Sequence, residues 1–152
     1  MSTEDNKALV RRLYEEQNGH NLDYLDEALV PDYVHHDPAL PPEMQHGRDN
    51  YRQLSGMFYT AFPDLQGTLE DMVAEGDKVV TRLSAYGTQT GELFGIPPTG
   101  KQIRMTAIAV HRIANGKIVE HWSELDNLGL MQQLGVVPEP GQPEEAPPSR
   151  PG

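Results

Sequence analysis

The spacing of apolar residues changes period near residue 63, and this change constrains the fold more than any motif does. Up to Phe62 the large side chains recur every three or four positions. From Leu65 onward they alternate, in runs broken by turn residues. Helices followed by an antiparallel meander make an α+β domain, with the helices on one face of a curved sheet and a cone-shaped space between them.

The helical half divides at its breakers. Leu9, Val10, Leu13 and Tyr14 form one stripe over Lys7–Gln17, and Asn18-Gly19 offers a left-handed cap. Asn21 is placed to cap a short helix over Leu22–Leu29 that Pro31 stops. An extended piece at Tyr33–His36 leads into a proline-rich loop, Asp37–Gln45. A third helix over Arg48–Phe62 turns Tyr51, Leu54, Phe58, Ala61 and Phe62 inward. In the second half, Leu65–Ala74, Lys78–Tyr86, Gln102–Ile113 and Lys117–Leu125 read as strands. Tyr86–Phe94 is strand-like as well, with bulges expected at Gly87, Gly91 and Gly95. Asp126 to Gly135 reads as a capped terminal helix closed by glycine.

Composition narrows the function classes. The chain has 152 residues, fits one domain and carries a formal charge of −11, which opposes binding to phosphate backbones. It has no cysteine, so disulfides, thiolate catalysis and cysteine-ligated metals are excluded. No stretch reaches the ~18 apolar residues of a membrane span, and Met1–Asn6 has neither a basic nor an apolar run, so no leader is expected. The expectation is a cytoplasmic protein that binds neither nucleic acid nor membrane. Pro138–Gly152 holds six of the thirteen prolines and no large apolar residue. It is expected to be a disordered tail after a domain over residues 1–137.

The hairpin around Asn115-Gly116 decides which polar side chains meet. A three-residue loop with Gly116 left-handed pairs Ile113 with Lys117, Ala109 with His121 and Ala107 with Ser123. A two-residue turn slips the pairing by one, so that His121 and Ser123 meet Val110 and Ile108 instead. The bulged loop is the favoured reading, because Ala114 and Asn115 suit an ordinary type I turn. It places Met105, Ala107, Ala109, His111, His121 and Ser123 on one face, and Ile108, Val110, Glu120 and Trp122 on the other. Small alanines beside a histidine and a serine leave volume flanked by polar atoms.

His121 is the leading candidate for proton transfer, since an imidazole titrating near ~6.5 takes and returns a proton at cellular pH. The bland alternative is a strand histidine bonded to a neighbour. Ser123 lies close enough for a Ser–His pair, but no third acid or oxyanion nest is readable, so covalent catalysis is not expected. Asp126 is either a nearby acid or the N-cap of the last helix. Of His35 and His36 only one can face inward. Without helical spacing or an HxH pair they do not suggest a metal site, and none is expected. Phe58 and Tyr59, with Met57, are candidates to line the cavity or to be plain core. His20 and His46 are expected to face solvent.

Several stretches resemble the SnoaL-like polyketide cyclase family, within the wider nuclear-transport-factor-2-like superfamily. They are Asp32-Tyr33-Val34-His35-His36-Asp37-Pro38, Ala61-Phe62-Pro63-Asp64-Leu65 and Gly87-Thr88-Gln89-Thr90-Gly91. Gly95 to Lys101, Gly116 to Trp122, and Asp126 with Gln132-Gln133-Leu134-Gly135 continue the match. The resemblance implies a helix-backed cone, a homodimer or higher oligomer and cofactor-free chemistry on a polyketide-like ester. The reaction it implies is an intramolecular aldol ring closure. It makes His36 the inward histidine. The family's proton-moving aspartate aligns with Ser123, and the histidine common in its Gly-Thr-x-x-Gly piece aligns with Gln89. A serine is no general base by itself, so the aspartate mechanism does not carry over as it stands.

The leading expectation is therefore a cofactor-independent cyclase or isomerase for an apolar, carbonyl-bearing small molecule. His121 moves the proton, aided by His36 or Asp126, and Ser123 and Gln89 bond the substrate's oxygens. His111, Met105, Ala107, Phe58 and Tyr59 complete the binding site. One alternative is an epoxide-opening enzyme using Asp126 and His36. Another is a non-catalytic binding module, with copies packed through Ile108, Val110 and Trp122 on the outer sheet face.

Overall fold

A computed structural model describes residues 2–138 and residue 141. Apart from residues 138 and 141, the expected tail lies outside the described residues. The chain forms α1 (Thr3–Asn18), a 3₁₀ turn, α2 (Leu25–Ala28), β1 (Leu29–His36) and α3 (Arg48–Ala61). There follow β2 (Gln66–Glu75), β3 (Lys78–Thr88), β4 (Gln102–Ala114), β5 (Lys117–Leu125) and α4 (Asn127–Leu134). The five strands form one sheet in the order β1-β5-β4-β3-β2, antiparallel except for the parallel pair β1–β5. Helix α1 lies over β2 and β3, α3 over β1 and α4 over β4. The α+β architecture read from the sequence is the one observed.

Local chemistry explains the boundaries that differ from expectation. Helix α1 starts four residues before Lys7, because Ser2 and Asp5 form a reciprocal capping box. At its end the left-handed residue is His20 (φ 56°), whereas Gly19 has φ −81°. The Asn18 side chain both donates to and accepts from the Gly67 backbone, pinning the helix to β2. The second helix is shorter than expected: the chain is extended from Leu29, and Pro31 lies inside β1 at a register irregularity. An edge strand tolerates proline there, because it has no ladder bond to lose on its open side. Strand β3 runs in unbroken register to Thr88, so Gly87 makes no bulge. Residues 89–101 then leave the sheet, and Gly91 packs so close to the Thr60 carbonyl that a Cβ would collide with its oxygen.

The β4–β5 hairpin matches neither register derived from the sequence. Asn115 (φ 52°) and Gly116 (φ 75°) are both left-handed, and Ala114 faces Lys117 across a two-residue turn. Ile113 then faces Ile118 but Arg112 faces Glu120, which leaves Val119 as an extra, bulged residue. The turn flips the parity and the bulge flips it back. The inward face is thus the expected one, but His111 now stands opposite His121 and Ala109 opposite Ser123.

Two apolar clusters flank this face. Val10, Leu13, Leu25, Leu29, Tyr33, Val79, Ile113 and Ile118 close one end between α1, α2 and the sheet. Ala61, Phe62, Leu93, Ile103, Met105, Leu130 and Leu134 close the other, beneath α4. The space left between them holds the polar groups. Among the described residues, no helix is long and apolar enough to cross a membrane.

Candidate active site

Three imidazoles meet on the inner face of the sheet. His35 and His121 are register partners across the parallel pair β1–β5, and His111 is the antiparallel partner of His121 on β4. The His111 and His121 rings stack with centroids 4.4 Å apart and planes 9° apart. The Nδ1 atoms of His35 and His121 are 2.9 Å apart, a hydrogen bond in which one ring donates and the other accepts. The far nitrogen of His35, Nε2, lies 3.9 Å from Oδ2 of Asp37. On the other side, Nε2 of His111 is 2.8 Å from the Tyr14 hydroxyl, which is 3.1 Å from Oγ1 of Thr81. A polar chain therefore crosses the interior from Thr81 to Asp37. Nε2 of His121 and Nδ1 of His111 are buried without a hydrogen-bond partner among the described residues.

Burial sets the charge state of the chain. It lowers His35 to about 4 against the attraction of Asp37, and His111 to about 3 with help from His35. It also drives His121 well below the ordinary range, reinforced by its histidine neighbours. Burial raises the Tyr14, Tyr33 and Tyr51 hydroxyls. All three inner imidazoles are neutral at neutral pH. A cation would need two or more lone pairs converging on it; here facing nitrogens bond each other and the other rings stack. Among the described residues, no cluster of three or more histidines or carboxylates is arranged to hold a metal ion.

Beside these rings lies a cavity of about 230 Å³. Of the residues singled out in the sequence, His121, Ser123, Met105, Ala107, Phe58 and Tyr59 line it, together with Ala109. Met57 is not among the lining residues. His111 stands behind, fully buried and stacked on His121. Sequence reasoning missed His35, Asp37, Tyr14, Tyr51 and Ser55, which also line the cavity or its mouth. The spacing of positions 35 and 37, the second just past the end of β1, carried the available signal for the first pair. A second lobe of about 540 Å³ shares Tyr14, Gln17, Tyr59 and Leu83 with the first and reaches the surface at Arg11 and Glu15.

Three expected site residues sit elsewhere. His36 points to the opposite side of the sheet, where its Nε2 is 2.7 Å from Glu120 and its ring stacks on Trp122. Strand alternation allows only one of the two adjacent histidines inside, and the pairing of His35 with His121 selects the other one. Asp126 is the N-cap of α4, accepting from the Gly129 amide at 2.9 Å, and lines a different surface hollow with Arg82 and Arg104. Gln89 is fully buried in the loop after β3, where it ties Thr99 and Ile96 together and lines neither lobe. His20, expected in solvent, is half-buried, stacked on Tyr59 and bonded to the Leu65 carbonyl. His46 is exposed, as expected.

A helix-backed sheet enclosing a hollow lined by imidazole, hydroxyl and apolar groups defines a small-molecule site in an α+β barrel. The model of the SnoaL-like polyketide cyclase family matches residues 8–134, and the chain belongs to that family. It is similar to aklanonic acid methyl ester cyclase DauD of Streptomyces sp. (strain C5), 32% identical over 93% of this chain and 91% of that protein. It is also similar to nogalonic acid methyl ester cyclase of Streptomyces nogalater, 32% identical over 70% and 83%. Among solved structures, TsrD from Streptomyces laurentii aligns with a TM-score of 0.80 at 32% identity, covering 90% of this chain and 99% of that one.

Proposed function

We propose that the protein is a cofactor-independent cyclase that closes a ring by intramolecular aldol addition on a polyketide-like ester, with His121 as the base. The observation that carries this is Nε2 of His121, a buried nitrogen of a cavity-lining ring with no hydrogen-bond partner among the described residues. Its other nitrogen is already held by His35, so the ring is oriented before substrate arrives. The inner lobe alone is smaller than the ~300–1,000 Å³ typical of ligand pockets, and the two lobes together fall within that range. A ligand with several fused rings fits such a space.

The chemistry follows from charge. Neutral His121 takes the acidic proton between two carbonyls, leaving an enolate. The enolate carbon attacks a second carbonyl of the same molecule, and the resulting alkoxide recovers a proton from the imidazolium. No atom is lost and no oxidant is needed. In the free enzyme burial opposes the imidazolium, but an enolate beside it repays much of that penalty, so the ion pair is favoured only as the reaction proceeds. Ser123, which lines the cavity on the same face as His121, supplies a hydroxyl for an oxygen of the enolate. The epoxide-opening scheme loses its residues, because His36 and Asp126 both lie outside the cavity.

The test is turnover of aklanonic acid methyl ester and nogalonic acid methyl ester, used as probes, by the wild type and His121→Gln. Conversion of either ester that collapses in the variant supports the reading. Undiminished conversion by His121→Gln, or tight binding of both esters with no product, overturns it. We also infer that two copies pair through the outer sheet face, where Ile108 is 54% exposed beside Val110 and Trp122. An apolar sheet face left in water is a liability that a second copy removes.

A further inference from the structure

We propose that Asp37, acting through His35, sets the tautomer of His121 and receives the charge when His121 takes a proton. This makes Asp37 and His35 positioning residues, and it rests on the reading of His121 as the base. The two rings meet through nitrogens of the same kind. Nδ1 of His35 and Nδ1 of His121 stand 2.9 Å apart, so one of them carries a hydrogen and the other a lone pair.

The two arrangements differ at both far ends of the pair. If His121 donates, neutral His35 carries its hydrogen on Nε2, facing the Asp37 carboxylate, and His121 keeps a lone pair on Nε2. If His35 donates, its Nε2 lone pair faces a carboxylate oxygen 3.9 Å away, and His121 is left with a buried N–H that has no acceptor. The second arrangement sets a negative charge against a lone pair in a poorly hydrated place: the two side chains are 7% and 12% exposed. It also orphans a donor, which folded proteins tolerate less well than an unpaired acceptor. The first arrangement is the stable one, and it is the one in which His121 acts as a base.

Other groups around the pair leave this bias intact. His111 stacks on His121 and directs its Nε2 to Tyr14, and Tyr51 packs against both His35 and His121. None carries a charge at neutral pH. The charged His36–Glu120–Arg112 cluster lies across the sheet. Asp37 is itself held: its Oδ1 accepts from the Ala39 amide at 2.9 Å, and its carbonyl accepts from the Gln45 side chain. The Gln45 carbonyl in turn accepts from the His35 amide.

The same contact moves charge during the reaction. When Nε2 of His121 gains the substrate's proton, its Nδ1 hydrogen passes to Nδ1 of His35. The imidazolium is then His35, beside Asp37, and His121 is neutral again with its hydrogen on Nε2. Reversal of both transfers returns the proton to the product. Ser123, on the same face, has a hydroxyl that carries no charge; the carboxylate nearest the pair is that of Asp37, just past the end of β1.

The experiment is ¹⁵N–¹H NMR of histidine side chains in the ligand-free full chain, for the wild type and Asp37→Asn. Asparagine keeps the bond to the Ala39 amide and removes the charge. The expected result is His121 hydrogenated on Nδ1 and His35 on Nε2 in the wild type, with the opposite tautomers gaining population in Asp37→Asn. An Nε2-hydrogenated His121 in the wild type, or a tautomer ratio that Asp37→Asn leaves unmoved, overturns the proposal. His35→Phe provides a second variant, in which the tautomer preference of His121 should also be lost and whose persistence would equally overturn it. With a turned-over ester, Asp37→Asn should lower kcat by about tenfold or more at similar KM, as for other residues that orient a functional imidazole. Because the tautomers are read without substrate, their outcome is separate from whether His121→Gln abolishes turnover.

Discussion

His35 and His36 are neighbours in sequence and share a strand, yet one is 5% exposed against the His121 imidazole and the other is half-exposed against a carboxylate. On the inner face burial outweighs every partner, so the rings are neutral and hydrogen-bond as tautomers. On the outer face His36 bonds Glu120, which Arg112 also contacts, and these hydrogen bonds hold the Glu120 carboxyl below its ordinary range. The comparison teaches that a histidine's chemistry here is set by which side of the sheet it enters. Inside, it is a proton acceptor of adjustable tautomer; outside, it is part of a screened charge network.

Exchanging the functions of the two faces is the strongest way to break this comparison. His121→Gln should lower kcat/KM by about 10²–10⁴-fold, the usual contribution of a general base, while His36→Gln stays within about twofold. Steady-state kinetics on a turned-over ester reads both. Next in size is the response to acid. As pH falls below 6.5 the unfolded chain protonates its imidazoles, while the folded chain keeps His35 neutral down to about 4 and His111 down to about 3. Stability is therefore complete above pH 6.5 and falls on acidification, by on the order of 3 kcal/mol for each of His35 and His111 by pH 4, with His121 acting in the same direction. Urea titrations across this range measure it, and His111→Phe should flatten the slope.

A smaller effect sharpens the inner side. Tyr14→Phe strands Nε2 of His111 and the Thr81 hydroxyl, which should lower stability by about 1–3 kcal/mol at pH 7 in thermal or urea unfolding. The outer face should give the smallest response. Ile108→Lys should change the unfolding free energy of the single chain by no more than about 0.5 kcal/mol, since the side chain is more than half exposed. Sedimentation of the same variant should show smaller particles than the wild type if this face joins two copies.

Element types were readable from the chain except over residues 89–94, which read as strand and fold as loop, and so was the inward set Met105, Ala107, Ala109, His111, His121 and Ser123. Alternation alone assigns residues two apart to one face. Their cross-strand partners were not readable, because the two-residue turn at Asn115-Gly116 and the bulge at Val119 act in opposite senses and only the folded ladder shows both. Asp126 had a local signature as a cap, and the Gly129 amide it accepts from lies three residues away. Gln89 had none: it sits beyond the last paired residue of β3, where a glycine-bearing loop folds back on α3 and removes it from the cavity.

By itself the sequence determined the period of each segment, the turn residues and the opposition of His35 to His36, since these depend on the geometry of one stretch of backbone. Which of those two histidines is inside was decided by tertiary structure alone. β1 adds in parallel beside β5, and α1 and α3 cover one side of the sheet; only these long-range contacts give alternation an absolute sense. They bring His35, His111, His121 and Asp37 from three strands and a loop into one buried chain.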